Sequence, residues 1–190
     1  NRALKRKDAA PTMNQKELTL RNLGDSLDSI MNIDPRGYGV CKILYPAARE
    51  YTQAPLSTSF AENLLKTIKK DDLVFLLSGF VLLPFKKAEM DGIISTVLLA
   101  GALIKAIGAK PVLICPEENM QAAEKLAYVA GIHFYRTIEE VREYPTAMAA
   151  VSFTKDREEA VKQAERLAAE NPAAVIAIEA PGANEKGVYH

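Results

Sequence analysis

The order of apolar and polar residues is most regular in the middle of the chain. The run Leu73–Leu77 has no polar residue, which is typical of a strand buried on both faces within a parallel sheet. Over Ile93–Ile107 apolar residues recur at helical spacing, and Gly108 follows as a helix stop. Lys110–Cys115 is a second, partly β-branched apolar run. The pattern predicts a strand, an irregular loop, a helix and a second strand.

The same alternation continues toward the carboxyl terminus. The predicted elements are, in order, helix Asn119–Ala130, strand Ile132–Tyr135, helix Ile138–Arg142, strand Thr146–Phe153, helix Asp156–Glu170 and strand Ala173–Ile178. Strands that alternate with helices favour a parallel sheet, because each crossover places a helix on a face of the sheet. We therefore predict a three-layer α/β fold, mainly parallel, with helices on both faces.

A helical lead-in precedes the sheet. Residues 1–14 show no apolar period and are interpreted as a flexible arm. A helix is predicted around Leu20–Met31 and another over Val40–Tyr51, separated by a turn. Ser59 and Glu62 have the spacing of a capping box before a third helix. Residues 15–190 are predicted to form a single α/β domain, truncated at its carboxyl terminus.

Composition excludes several classes of protein. The 190 residues are 48% hydrophobic and 25% charged, within the globular range. Lys plus Arg and Asp plus Glu both number 24, so no net positive field recruits nucleic acid or membrane, and we expect neither as a partner. Cys41 and Cys115 are too few and too far apart for a disulfide framework. The apolar run Ile93–Ile107 is taken as too short to span a bilayer, and we expect a cytoplasmic protein.

Two carboxylates lie in the loop before the central helix. Glu89 and Asp91 are two residues apart, so both side chains can point at one hard cation such as Mn²⁺ or Mg²⁺, which prefers oxygen ligands. Asp91 has a competing interpretation, since it lies where the helix N-cap is expected. Both interpretations stay open from the residues alone.

Glu179 ends the last predicted strand and is followed by Pro-Gly. A carboxylate near a core is costly unless it is paired or ligating, although a solvated strand-end residue is equally compatible with the pattern. If the first and last strands are neighbours, Glu179 approaches Glu89 and Asp91, and a cation would relieve their repulsion. We therefore predict a divalent metal held by these three carboxylates, which are also the candidate catalytic residues.

Further positions are candidate substrate contacts. Gly79, after Ser78, allows backbone N–H groups to approach an anion, and Gly92 leaves space at the positive end of the central helix. Arg36 can hold a carboxylate or phosphate with two hydrogen bonds. A turn glycine and a solvated arginine are the alternative interpretations. No Walker A or GxGxxG sequence is present.

Several segments occur together in one order. They read IDPRGYG and LYPAAR in the lead-in, LLSGF at the first strand, AEMDG in the acidic loop, and IEAPG followed by YH near the end. This set resembles the D-glutamate cyclase-like C-terminal domain family, over roughly residues 20–190. The family's acidic loop usually reads Glu-Thr-Asp-Gly-Pro; Glu89, Asp91 and Gly92 match it, while Met90 and Ile93 depart from it. The family also continues beyond the position of His190 with further acidic residues.

The resemblance implies a lyase that converts D-glutamate to 5-oxo-D-proline with loss of water. A carboxylate such as Glu89 or Glu179 would act as base, a divalent metal would polarise the γ-carboxyl group, and Arg36 would orient the other carboxylate. One alternative is a Mn- or Mg-dependent phosphatase that uses the same acidic residues. Another is a non-catalytic domain that binds a small molecule or a metal. We expect a small anionic substrate and leave a homo-oligomer open.

Overall fold

The computed structural model describes residues 13–82, 85, 87–180 and 182–188. These fall into two compact units, Asn1–Lys66 and Thr67–His190. Most of the predicted flexible arm over residues 1–14 lies outside the described residues, as do Pro181, Tyr189 and His190. Asn14 is described, and its side chain and that of Glu17 form a capping box at the start of the first helix. The prediction of a single domain stays a prediction.

The first unit contains the helical lead-in. Its helices are α1 (Gln15–Met31), α2 (Val40–Thr52) and α3 (Leu56–Thr67), the last of which ends at the boundary with the second unit. The predicted capping box at Ser59 and Glu62 is wrong, because α3 begins at Leu56 and both residues lie inside it. All three helices were expected, but the third begins earlier than its local sequence suggested.

The start of α3 is capped by a side chain from α1. The Asp28 carboxylate accepts hydrogen bonds from the N–H groups of Leu56 at 2.6 Å and Ser57 at 3.0 Å, and from the Tyr45 hydroxyl at 2.9 Å. These satisfy N–H groups that the helix itself leaves unpaired. Burial raises the pKa of Asp28, but the hydrogen bonds from Ser57, Leu56 and Tyr45 outweigh it and hold the pKa below its ordinary value.

The second unit is the α/β fold. Its elements, in chain order, are β1 (Leu73–Leu77), β2 (Val81–Leu82), β3 (Lys87–Ala88), α4 (Met90–Ile107), β4 (Lys110–Cys115), α5 (Glu117–Val129), β5 (His133–Tyr135), α6 (Ile138–Glu143), β6 (Ala147–Ser152), α7 (Arg157–Ala169) and β7 (Ala174–Ala177). Five strands form a sheet in the order β5-β6-β4-β1-β7, and every neighbouring pair is parallel. The predicted three-layer α/β fold is confirmed.

The core lies on both faces of this sheet. On one face, Phe75 and Ile114 pack in a buried cluster with Val141 of α6, and Leu167 of α7 packs against it. Strand residues that point to the other face, such as Leu76 and Leu113, are also fully buried. Helices α4 and α5 pack on each other and on the strands. Strands with both faces covered read as continuous apolar runs, which explains why β1 and β4 were recognisable in the sequence.

The loop after β1 differs from its prediction. Residues Val81–Leu82 and Lys87–Ala88 pair antiparallel as a short hairpin where an irregular segment was expected. Helix α4 begins at Met90, three residues before the predicted start. Its 18 residues are long and apolar enough to cross a bilayer by length and composition, so the expectation that this run is too short was wrong. Its inner side, which includes Ile93, Val97 and Leu103, is buried against the protein, as in a core helix of a globular domain. Cytoplasmic location stays a prediction.

Candidate active site

The carboxyl ends of β1 and β7 are neighbours and lie beside the start of α4. Leu77 aligns with Ala177 across the two strands, and the Ile178 N–H donates to the Leu77 carbonyl oxygen at 2.8 Å. The chain leaves β1 through Ser78 and leaves β7 through Glu179. The predicted shared site required the first and last strands to be neighbours, and they are.

Gly92 is the point where the three segments touch. A Cβ atom at this position would lie 2.8 Å from the Cβ of Glu179 and 2.9 Å from the Oγ of Ser78. Only a residue without a side chain fits that space, because such separations are below van der Waals contact. The structure thus brings together Ser78, Gly92 and Glu179, which lie far apart in the sequence.

Glu179 has an unusual backbone conformation. Its φ is +48°, in the left-handed region that costs a residue with a Cβ free energy. The stem of its side chain contacts Gly92, while the residue as a whole is exposed to solvent. The Cβ and Cγ of Glu179 therefore lie against the first turn of α4, where the N–H groups have no partner within the helix.

The acidic pair flanks the first turn of α4. Glu89 is the N-cap residue, half-buried, and its side chain makes no capping hydrogen bond; its own N–H donates to the Phe80 carbonyl oxygen at 2.9 Å. Asp91 lies inside the helix and not at the N-cap, and its Oδ1 accepts from the Gly92 N–H at 2.9 Å. The Asp91 side chain is thus bonded to its own helix, whereas the side chain of the N-cap residue Glu89 makes no such hydrogen bond.

The described side chains do not form a ready metal site. No group of three His, Cys, Asp or Glu residues within the described ranges is arranged to hold one ion. Glu89 and Asp91 lie at the start of α4, and the stem of Glu179 contacts Gly92 in the same turn. The predicted divalent metal and its ligand set stay a prediction.

Gly79 shapes the other side of the corner. Its φ is +146°, and a Cβ atom there would lie 2.2 Å from the Cδ of Pro116. The backbone after β1 therefore passes directly against the residue that precedes α5. Because β1 and β4 are parallel neighbours, the chain segments that lead to α4 and α5 both leave the sheet at its carboxyl edge, where parallel α/β sheets bind ligands.

A pocket of about 510 Å³ opens at this edge. Ser78, Gly79 and Pro116 belong to its wall, together with apolar residues from the sheet and α7 such as Phe75 and Leu167. Lys155 also lines it and is ion-paired with Glu118. The size suits a small molecule, and the expected anionic substrate stays a prediction.

Cys115 is also in the pocket wall, but its thiol is not an activated nucleophile. Burial, with a smaller contribution from Glu117, raises the pKa of the Cys115 thiol to about 12. Since the thiolate is the reactive form, this residue is inert at neutral pH. No histidine lies beside Cys115 in the sequence, and His133 lies at the start of the edge strand β5.

Arg36 belongs to the first unit. It is exposed in a turn whose backbone is held by Asp34, which accepts from the N–H groups of Gly37 at 3.0 Å and Gly39 at 2.6 Å. Both glycines have positive φ, so the turn requires them whatever Arg36 does. Its predicted role in binding substrate stays a prediction.

Sequence reasoning missed Asn119. This residue lies in the first turn of α5 and is fully buried, and neither atom of its amide has a hydrogen-bond partner within the described part of the chain. Ser78 Oγ is buried without a partner in the same way. Asparagine near a helix start is common, so only its burial, which the sequence does not show, marks it as unusual.

Comparison with known proteins adds a family to this geometry. The family model described as D-glutamate cyclase-like, C-terminal, matches residues 27–190. The chain belongs to the D-glutamate cyclase-like C-terminal domain family. Comparisons with curated proteins and with solved structures gave no match. The match confirms the resemblance seen in the ordered motifs.

The family match extends over the acidic corner and over part of the helical lead-in. It begins at Leu27, inside α1, and so includes Asp28 and the turn with Arg36 as well as the whole sheet of the second unit. The match therefore covers residues of both compact units. The match concerns the domain as a whole and assigns no role to an individual side chain.

Proposed function

We propose that this domain catalyses the cyclisation of D-glutamate to 5-oxo-D-proline, with the corner formed by Ser78, Glu89, Gly92 and Glu179 as its site. The observation that carries the proposal is the family match over residues 27–190. The geometry supports it, because the stem of Glu179 contacts the start of the helix that Glu89 precedes, and Ser78 at the same point lines a pocket large enough for a small molecule.

The reaction is an internal condensation. The amine nitrogen of the substrate attacks its own γ-carboxyl carbon, a C–N bond forms, and one γ-carboxyl oxygen leaves. The two protons that the ammonium group loses end on that oxygen as water, so that atoms and charge balance. Because nucleophile and electrophile belong to one molecule, proximity is already supplied, and the protein has to move protons and stabilise charge.

The carboxylates supply a base. In our proposal Glu89 or Glu179 accepts a proton from the substrate ammonium group and returns it to the departing oxygen, which is general acid–base catalysis by one side chain. Glu89 is the better candidate for this role, because it is half-buried and its side chain is not used in a capping hydrogen bond. Glu179 is exposed, although its stem is fixed against Gly92.

The start of α4 supplies positive potential. Unpaired N–H groups in the first turn of a long helix favour a negative charge nearby, and the oxygen of the tetrahedral intermediate is such a charge. Ser78 Oγ lies at this turn without another hydrogen-bond partner among the described residues, so in our proposal its hydroxyl donates to the same oxygen or to a substrate carboxylate.

The test is direct detection of 5-oxoproline by mass spectrometry after incubation with D-glutamate, with L-glutamate as the stereochemical control. Parallel reactions contain Mn²⁺, Mg²⁺ or a chelator, which tests the predicted metal separately. We expect Glu89→Gln and Glu179→Gln to lower turnover, the base by about 100-fold or more. Glu185→Gln, an exposed glutamate outside the corner, is the matched control. Absence of product in every metal condition, or full activity of the Glu89→Gln/Glu179→Gln double variant, would overturn the proposal.

The phosphatase alternative has less support. It uses the same acidic residues with a metal-bound water, and the family match over residues 27–190 is to a D-glutamate cyclase-like domain. A chelator-sensitive phosphatase activity that is lost with Glu89→Gln would restore it.

A further inference from the structure

The pocket of about 510 Å³ has a wall that suits an uncharged molecule better than D-glutamate. Phe75 and Val175 line it from neighbouring strands, and Leu167 lines it from α7. Of the described residues that line the pocket, Lys155 alone is charged, and its ammonium group is ion-paired with Glu118. An anion that enters such surroundings loses hydration without gaining a free positive partner, which is costly.

The pocket and the corner proposed for D-glutamate share a wall. Ser78 lines the pocket, but its Oγ lies against Gly92 in the first turn of α4. Ala180 also lines the pocket, whereas the stem of the preceding residue, Glu179, contacts Gly92. The segments that leave β1 and β7 therefore border the pocket on the α7 side of the sheet and the corner on the α4 side.

Helix α7 is held beside the pocket by polar contacts. Gln163 Oε1 accepts from the Thr154 N–H at 2.9 Å, and Gln163 Nε2 donates to the Ser152 carbonyl oxygen at 2.6 Å. At the end of the helix, Arg142 of α6 donates to Glu170 at 3.0 Å. These contacts fix the position of α7 without apolar side chains that would fill the space between it and the sheet.

Between these attachments, small side chains leave the pocket open. Ala164 and Ala168 line it, and both are exposed to solvent. Val175, on the strand side, is 57% exposed. An apolar ligand that covers these side chains would remove them from water, which is favourable. The volume lies within the range of about 300–1,000 Å³ that is usual for small-molecule sites.

We propose that this pocket is a second binding site, for an uncharged small molecule with an aromatic or branched aliphatic body and one polar end. The apolar wall accepts the body. The polar end points toward Thr154 and Lys155, which also line an adjoining polar pocket with Ser152 and Glu117. This inference does not depend on the proposed function, because it concerns the α7 side of the shared wall.

The probe is indole, an uncharged aromatic molecule with a single N–H group. The chain contains no tryptophan, so indole fluorescence comes from the ligand, and its emission moves to shorter wavelength when the ring leaves water. The full chain is titrated into indole and, separately, into indole-3-carboxylate, which adds a negative charge to the same ring. Competition with D-glutamate tests whether the two sites are separate.

The variants fill the pocket from α7. They are Ala164→Leu and, independently, Ala168→Leu. The matched control is Ala169→Leu, which makes the same change at an exposed position of the same helix that does not line the pocket. Thermal melting of each variant checks that it is folded.

We expect saturable binding of one indole per chain, weaker by about tenfold or more in Ala164→Leu and Ala168→Leu and unchanged in Ala169→Leu, because the new side chain takes the space of the ligand. Indole-3-carboxylate should bind about tenfold or more weakly than indole. D-Glutamate should not displace indole. Binding of indole without formation of 5-oxoproline would remove the proposed function and leave this inference standing.

Four results would overturn the proposal. Binding that does not saturate, or that is equal in all three variants, would show adhesion to the general surface. Tighter binding of indole-3-carboxylate than of indole would make the pocket an anion site at Lys155. Displacement of indole by D-glutamate would make it part of the substrate site. Absence of indole binding in a dimer that Ala164→Leu dissociates would assign the pocket to a second copy of the chain.

Discussion

At the scale of single residues, Gly92 is where the candidate site depends most on the size of a side chain. The Glu179 stem and Ser78 Oγ both lie so close to Gly92 that a Cβ atom there would overlap them. The sequence predicts Gly92 as a residue that admits an anion, and the structure adds that the space beside it is filled by Glu179. The small size of Gly92 lets the stem of Glu179, which follows β7, pack against the start of α4.

Substitution of Gly92 by alanine is expected to destabilise the protein. The new Cβ would lie 2.8 Å from Glu179 Cβ and 2.9 Å from Ser78 Oγ, and such overpacking costs about 1–3 kcal/mol. Gly101→Ala in the same helix is the matched control, because its Cβ would lie 3.4 Å from Ile132 Cδ1 and alanine favours a helix by about 0.5–1 kcal/mol. Chemical denaturation of both variants measures the difference; equal stabilities would contradict the described packing.

Glu179 allows stability and activity to be separated. Its positive φ means that Glu179→Gly should relieve backbone strain of about 1 kcal/mol, partly offset by lost contacts with Gly92, while turnover of D-glutamate falls. Asn171→Gly, also at positive φ but in the turn between α7 and β7, should gain some stability with unchanged turnover. Denaturation curves and product formation are measured on both variants. Loss of activity in Asn171→Gly would show that the turn and not the carboxylate matters.

At the scale of elements, helix starts were the hardest feature to predict. The Asp28 carboxylate caps α3 from a position 28 residues earlier, so a search for local capping residues found Ser59 and Glu62 instead. In α4 the N-cap residue is Glu89, whose side chain makes no capping hydrogen bond. The expected N-cap, Asp91, is the second residue of the helix. Strand and helix interiors were predicted well because their signal is periodic and local, whereas a cap supplied from another helix leaves no local trace.

Asp28→Ala is expected to lower the free energy of unfolding of the first unit by about 2 kcal/mol, since charged hydrogen bonds to Leu56, Ser57 and Tyr45 are lost. The pKa of Asp28 is lowered in the folded state, so its contribution is present above the unfolded pKa of about 3.9 and is lost as pH falls through the folded pKa. In circular dichroism melts, the difference in stability between wild type and Asp28→Ala should therefore become smaller as the pH falls from about 7 to about 3. A constant difference across this range would contradict the assignment.

At the scale of the whole molecule, the sequence predicted a parallel sheet with helices but not the order of its strands. Apolar runs at β1 and β4 and the alternation with helices were sufficient for the fold class. The adjacency of β1 and β7 was not, because pairing between the first and last strands depends on tertiary packing that no local pattern records. The pairing of β1 with β7 brings Glu179 to Gly92. The sequence could therefore predict the site only if these two strands were assumed to be neighbours.

The strand order predicts a gradient of protection from hydrogen exchange. In the described sheet β1, β4 and β6 are paired on both sides, whereas β5 and β7 lie at its edges. Amides of β1 and β4 should therefore exchange only on global unfolding, and those of β7 by local opening at lower free energy. Exchange followed by mass spectrometry measures this on peptides from each strand. Equal protection of β7 and β1 would indicate that β7 is covered.

The acidity of one sulfur atom has a practical consequence. Cys115 is 1% exposed and its thiol pKa is raised to about 12, while Cys41 is half-buried with no disulfide. At pH 8 an alkylating reagent should therefore modify Cys41 and spare Cys115 until the sheet opens. The mass of a single tryptic peptide then records how often the second unit unfolds, without any engineered probe. Rapid alkylation of Cys115 in native protein would contradict its placement.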